Sequence, residues 1–269
     1  MSELLDLLSL TRGAGDSWLG TGYGPAGKRL FGGQLLAHSL AAASESLPDV
    51  DGSAKLPTSL HLQFLRGGTA GDAIEYDVER TYDGRTAAAR RVLARQSDRV
   101  LTAATVSFSA PLAGPEHGRY NLPDHPDTLP HSGPAGPAPG LPLDELDIRI
   151  VDHGSGEGFV RRLYWRTTTP LPENPLLHLC VALFVTDVYM IDPALRVHGH
   201  SMAERTHRSG TTDASVWFHR PIRADAWNLL ESRSPAAARG RGVITATLAG
   251  ADGQIAATLV QEGLIAARE

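Results

Sequence analysis

Asp187 lies inside the run VALFVTDVYMI, a carboxylate among apolar neighbours. Burying a charge there is costly unless the charge is used. Asp187 is therefore the first candidate for a functional residue. Gln261 interrupts a second apolar run, IAATLVQEGLI, with a side-chain amide, and Thr211 stands in Ser209-Gly210-Thr211-Thr212-Asp213, where turn chemistry alone accounts for a threonine. Gly199-His200-Ser201-Met202-Ala203 has the outline of a nucleophile elbow, which needs a buried strand before it and a helix after it. Its flanks, a short charged ALRV and the polar AERTHRSG, supply neither. His198 and His200 with Asp187 lack a dependable third ligand, so no metal is expected. Gly154, Gly156 and Gly158 miss the spacing of a dinucleotide loop, and no cofactor is expected.

These residues need elements to position them. Gly32-Gly33-Gln34 opens an Ala/Leu-rich helix that ends by Pro48, and apolar-alternating strands follow over 59–65, 73–82, 86–96 and 100–109. From Ala110 to about Gly140 the chain is rich in Pro, Gly and His and reads as a linker. A strand over 159–165 precedes Asn174-Pro175, an N-cap with proline at the first helical position. The helix it starts, LLHLCVALFVTDVYMI, carries Asp187. Strands over 214–222, 226–234, 236–250 and 254–265 then repeat the order of the first half, with Thr86–Arg90 resembling Pro235–Arg239. An internal duplication follows. The expected fold is α+β, a double hotdog in which two long helices are each wrapped by a curved antiparallel sheet. Its units are 1–112, a linker 113–145, and 146–269.

Phe31-Gly-Gly-Gln34, LHLQFLRGG (60–68), YDVERTYDGR (76–85) with Arg90-Arg91-Val92, Thr186-Asp187, TTDASVWFHRP (211–221) and Val260-Gln-Glu-Gly-Leu264 occur in one order and spacing. In these the chain resembles the acyl-CoA thioesterase II family of double-hotdog hydrolases. The resemblance implies hydrolysis of acyl-CoA thioesters with water as nucleophile, no covalent enzyme intermediate and no metal. It places the catalytic group on Asp187, Thr211 and Gln261. Such a division suits the chemistry, because an oriented, partly deprotonated water attacks a thioester carbonyl and needs one base and two aiming groups. A backbone N–H at a helix start would stabilise the oxyanion. Two departures stand out: Arg66-Gly67-Gly68 replaces the family's Arg-Pro-Gly, and Asp213-Ala214-Ser215-Val216 replaces Asp-His-Ser-Met. His61 falls where the family often has a histidine, and a satisfied strand histidine explains it equally well. Trp217 and Phe218 are expected to pack and so anchor Thr211. Two alternatives are a non-hydrolytic acyl-thioester-binding protein and a hotdog enoyl-thioester hydratase.

The remaining composition narrows the partners. A net charge of −5 with mixed acids and bases offers no basic face for nucleic acid. Arg239 and Arg241 are weighed as contacts for the phosphates of CoA. Cys180 is the only cysteine, so no internal disulfide forms, and it reads as a core residue. MSELLDLLSL lacks the features of a signal peptide, and no window is expected to reach the roughly 18 apolar residues of a membrane span. A cytoplasmic homo-oligomer acting on a small-molecule acyl thioester is expected, since exposed hotdog edges favour pairing.

Overall fold

The strands of the chain read the same plan inward from either edge. In the computed structural model, which describes residues 2–48, 54–132 and 140–268, the first half runs α1 (Glu3–Leu8), β1 (Thr11–Arg12), β2 (Ser17–Thr21), α2 (Gly32–Glu45), β3 (Leu56–Phe64), β4 (Ala73–Asp83), β5 (Ala87–Gln96) and β6 (Arg99–Ser109). The second runs β7 (Leu146–Ile150), β8 (Val160–Thr167), α3 (Pro175–Tyr189), α4 (Asp192–Arg196), β9 (His207–Phe218), β10 (Asn228–Ala238), β11 (Arg241–Gly250) and β12 (Ile255–Ala267). Among the described residues these strands form one twelve-stranded sheet in the order β1-β2-β4-β5-β6-β3-β9-β12-β11-β10-β8-β7. Its pairs are antiparallel, and the halves join where β3 meets β9, with Leu60 opposite Val216 and Leu62 opposite Ala214. Alternation along β3 and β9 turns Leu60, Leu62, Ala214 and Val216 inward, all nearly inaccessible.

Helices α2 and α3 pack against each other on the inside of this sheet. α2 is built of Ala, Leu and Ser with no β-branched residue, and nearly every position is buried. α3 begins as expected: the Asn174 side chain accepts from the backbone N–H groups of Leu176 and Leu177, with Pro175 just after it. The helices meet at their sixth residues, where the Cys180 thiol donates to the Ala37 carbonyl at 3.4 Å. Burial pushes that thiol up to about 12, so Cys180 is a core group and not a nucleophile. Phe31 and Phe184 stack edge to face at 5.1 Å and fix the start of α2 against the middle of α3.

Buried polar groups tie the N-terminal segment to α2. The Gln34 amide donates to the carbonyls of Leu7 and Thr21 and accepts from the Tyr23 N–H. His38 bridges Tyr76 and the Leu7 carbonyl, and burial brings its imidazole down to about 4, so it is neutral.

Several expectations change. Residues 175–196 reach a mean hydropathy of 1.5 over an 18-residue window, against the expectation that no window would be so apolar; they form α3 and α4, and 67% of that window is buried inside the fold. The likeness of Thr86–Arg90 to Pro235–Arg239 does not mark equivalent sites: the first opens β5, whereas the second closes β10 and turns at Arg239-Gly240. The shared Ala-Ala-Ala-Arg is short, and the register of the sheet overrides it. Elements α1, β1, β2 and β7 were not read from the sequence, being short or edge pieces without sustained periodicity. Of the expected linker, 133–139 lies outside the described residues. Upstream of it the Tyr120 N–H donates to the Gly253 carbonyl at 2.7 Å, and the Tyr120 hydroxyl bonds Glu231.

Candidate active site

The antiparallel helices bring the start of α2 against the end of α3. Asp187, third residue from the end of α3, faces Gly32 and Gly33 at the start of α2. A Cβ on Gly32 would lie 2.8 Å from Asp187 Oδ2 and 3.1 Å from the Phe64 ring, so the close approach needs glycine. The Gly33 backbone N–H donates to the Asp187 carboxylate. Phe31, the N-cap residue, supplies no side-chain cap to the first-turn N–H groups of α2.

The sheet delivers the other two groups. Gln261 stands on β12 opposite Ala214 of β9 and is 2% exposed. Thr211 reaches the interior through a β-bulge. The pairing shifts between Glu262 and Gly263, so Gly263 sits opposite Thr211 and Thr212 is the extra residue. Alternation from Ala214 and Val216 would otherwise turn Thr212 inward. Freed from that position, Thr212 accepts no place in the core and donates instead to Glu262 Oε2 at 2.8 Å.

All three residues therefore touch. Gln261 Nε2 donates to Asp187 Oδ1 at 3.0 Å, the Thr211 hydroxyl donates to the same oxygen at 3.3 Å, and Gln261 Nε2 also contacts Thr211 Oγ1. Burial raises the Asp187 carboxyl to about 6, opposed by the hydrogen bonds from Gln261, Thr211 and Gly33. The carboxylate is thus tuned close to neutral pH while still ionised at pH 7. Asp187 and Thr211 line a cleft of about 200 Å3 whose apolar walls include Phe31, Leu35, Phe64 and Ile191. Gln261 lies behind them, facing a small cavity of about 10 Å3 between α3 and β12. The amide therefore contacts the carboxylate and the hydroxyl from the side away from the cleft, whereas the expectation was that it would aim water directly.

The other sequence candidates lie elsewhere. Ser201 caps the turn Met202–Glu204, with Glu204 returning a bond to the Ser201 N–H at 3.3 Å, which is a capping box and not an elbow. His200 lies near Glu204 and the His207 ring. His61 bonds Ser215 at 3.0 Å and stacks on Trp217, outside the cleft. Trp217 is 39% exposed, so it does not pack inward as expected; Phe218 does meet the core. Arg241 is engaged with Glu262 at 2.6 Å. The bulge that turns Thr211 inward and the bonds of Gln34 to Leu7, Thr21 and Tyr23 were not evident from the sequence; only the Gly-Gly-Gln motif hinted at the latter. His178, relevant to a hydratase, sits near the opposite end of α3, where its Nδ1 accepts from the Ala224 N–H. No histidine lines the cleft among the described residues.

Comparison with known proteins agrees along the whole chain. Residues 20–109 match the acyl-CoA thioesterase N-terminal domain, and 122–265 match the acyl-CoA thioesterase C-terminal domain. Acyl-coenzyme A thioesterase 8 of Homo sapiens is 30% identical over 279 residues, covering 93% of this chain and 84% of that one. Acyl-CoA thioesterase 2 of Haemophilus influenzae is 29% identical, with 88% of each covered. The crystal structure of an acyl-CoA thioesterase II from Mycobacterium marinum superposes with a TM-score of 0.84 at 28% identity and covers 99% of both chains. A hotdog-fold protein from Alicyclobacillus acidocaldarius, 19% identical, superposes at 0.79 over both full lengths, a likeness of fold.

Proposed function

The chain belongs to the acyl-CoA thioesterase family, and from that premise we propose that it hydrolyses acyl-CoA to a free acid and a thiol by direct attack of water activated by Asp187. The observation that carries this reading is the mutual contact of Asp187, Thr211 and Gln261 beside the uncapped start of α2. Ionised Asp187 takes a proton from a water placed between it and the substrate carbonyl, while the Thr211 hydroxyl orients that water. Gln261 holds both groups in place. As the oxygen attacks, the carbonyl electrons move to an oxyanion that an N–H of the first turn of α2 receives. Collapse expels the thiolate, which recovers a proton, and water has been divided between acid and thiol. We propose that the architecture is a double hotdog, with α2 and α3 each served by one half of the sheet, a reading supported by the mirrored strand order. We further propose that it works without a metal or other cofactor, as a cytoplasmic homo-oligomer.

The hydratase alternative is disfavoured by the cleft itself, where Asp187 has no histidine partner among the described residues. Thiol release from a panel of acyl-CoAs of several chain lengths separates hydrolysis from mere binding. Wild type is expected to release thiol from at least one of them. Ligand protection against melting without thiol release would leave a binding protein.

A further inference from the structure

A cleft of about 200 Å3 holds a thioester and part of an acyl chain, but not the nucleotide of CoA. The phosphate-bearing end of the substrate must therefore lie outside and pass over the rim. Resting on the reading above, we propose that Arg29 and Arg66 form a phosphate-recognition rim that selects CoA thioesters over thioesters of uncharged carriers.

Both guanidinium groups border the catalytic cleft and both are exposed. Arg29 is carried on a backbone made rigid by its neighbours: the Leu30 N–H donates to Gly68, the Ala70 N–H donates to Lys28, and Arg29 bridges Thr69. Its side chain lies across the rim between two glycines. A Cβ on Gly67 would be 3.1 Å from Arg29 Nε, and a Cβ on Gly210 would be 3.6 Å from one terminal nitrogen. Gly210 immediately precedes Thr211.

The charge pattern supports a ligand and not an internal partner. Among the described residues neither arginine forms an ion pair; Arg66 donates only to the Val100 carbonyl at 3.1 Å. Asp192, the other acid on the cleft wall, is already engaged by Arg161 at 2.8 Å and Arg196 at 3.1 Å. In a chain of net charge −5, two uncommitted cations at the entrance attract an anion and offer forked donors that fit phosphate oxygens. Arg241, by contrast, is neutralised by Glu262.

The test compares octanoyl-CoA with octanoyl-pantetheine, which carries the same thioester and no phosphate. Arg29→Gln, and separately Arg29→Gln with Arg66→Gln, are expected to raise KM for octanoyl-CoA about tenfold or more while kcat stays within about threefold. The KM for octanoyl-pantetheine should not move, and added salt should weaken the CoA reaction of wild type more than that of the variants. Arg29→Lys should restore part of the effect. An unchanged KM for octanoyl-CoA, or an equal rise with both substrates, overturns the proposal; the latter also covers a variant that misfolds. If wild type turns over neither substrate, the hydrolytic reading fails separately. Calorimetric binding of free CoA then decides the rim: weaker binding by the double variant supports it, and unaltered binding overturns it.

Discussion

Two clefts lie at opposite ends of the helix pair, and among the described residues they differ in the side chains they bring together. The counterpart of the Asp187 site lies at the other end of the helix pair, where the end of α2 meets the start of α3. Its cavity is larger, about 640 Å3, and its walls include Ser44, Pro57, Leu176, Leu179 and Phe218. Equivalent positions follow from the helix crossing and the sheet register. Asp187 is the thirteenth residue of α3 and Ser44 the thirteenth of α2. Phe64 and Phe218 each precede an arginine by two residues, which sets Pro57 against Thr211 and Leu60 against Ala214. Val106 pairs with Leu60 as Gln261 pairs with Ala214. Ser, Pro and Val thus stand where Asp, Thr and Gln stand in the other cleft, and the start of α3 is closed by the Asn174 cap while that of α2 is open. The larger, apolar cleft thus lacks the carboxylate, hydroxyl and amide that meet in the smaller one, and it is on those groups that the proposed hydrolysis rests.

This contrast breaks most visibly at Asp187. Asp187→Asn keeps the shape and removes the base, and should lower kcat in a thiol-release assay by about 10²–10⁴. Gln261→Leu should act less, lowering turnover by roughly 10–10² if orientation of Asp187 and Thr211 is its contribution. Because the lost amide bond favours the ionised carboxylate, the acid limb of the pH–rate profile should also move to higher pH.

A stability measurement sharpens the same point. The Asp187 carboxyl rises from 3.8 to about 6 on folding, mainly through burial. The unfolded chain ionises first, so stability present below about pH 4 is lost as pH rises through about 6. The loss is at most about 3 kcal/mol, at roughly 1.4 kcal/mol for each pH unit. Urea titrations should therefore find Asp187→Asn more stable than wild type at pH 8 and equal to it near pH 4. The smallest effect belongs to the other cleft. Ser44 donates to the Leu40 carbonyl one turn back, and Ser44→Ala should leave turnover within about twofold and stability within about 0.5 kcal/mol. A large loss there would mean that both clefts take part.

Much of this contrast was legible beforehand. Gly-Gly at the start of α2, Asn-Pro at the start of α3 and a carboxylate in an apolar helix are local signals, and each marked its element or residue. Thr211 was not legible from its surroundings, because its inward direction depends on a bulge set by pairing with β12, fifty residues away. The Arg29 side chain lies between Gly67 and Gly210, which meet only in the folded chain. Trp217 was misjudged because an aromatic pair gives no sign of which member alternation turns outward; Val216 and Ala214 settle that it is Trp217.

The most direct test of Asp187 as the base is the pH dependence of kcat/KM for an acyl-CoA that wild type hydrolyses. An ionised carboxylate with a pKa of about 6 predicts a tenfold rise per pH unit below that value and a plateau above it, with Asp187→Asn slow and without the inflection. A wild-type profile flat between pH 4.5 and 7, or an Asn variant that keeps both the rate and the inflection, would contradict it.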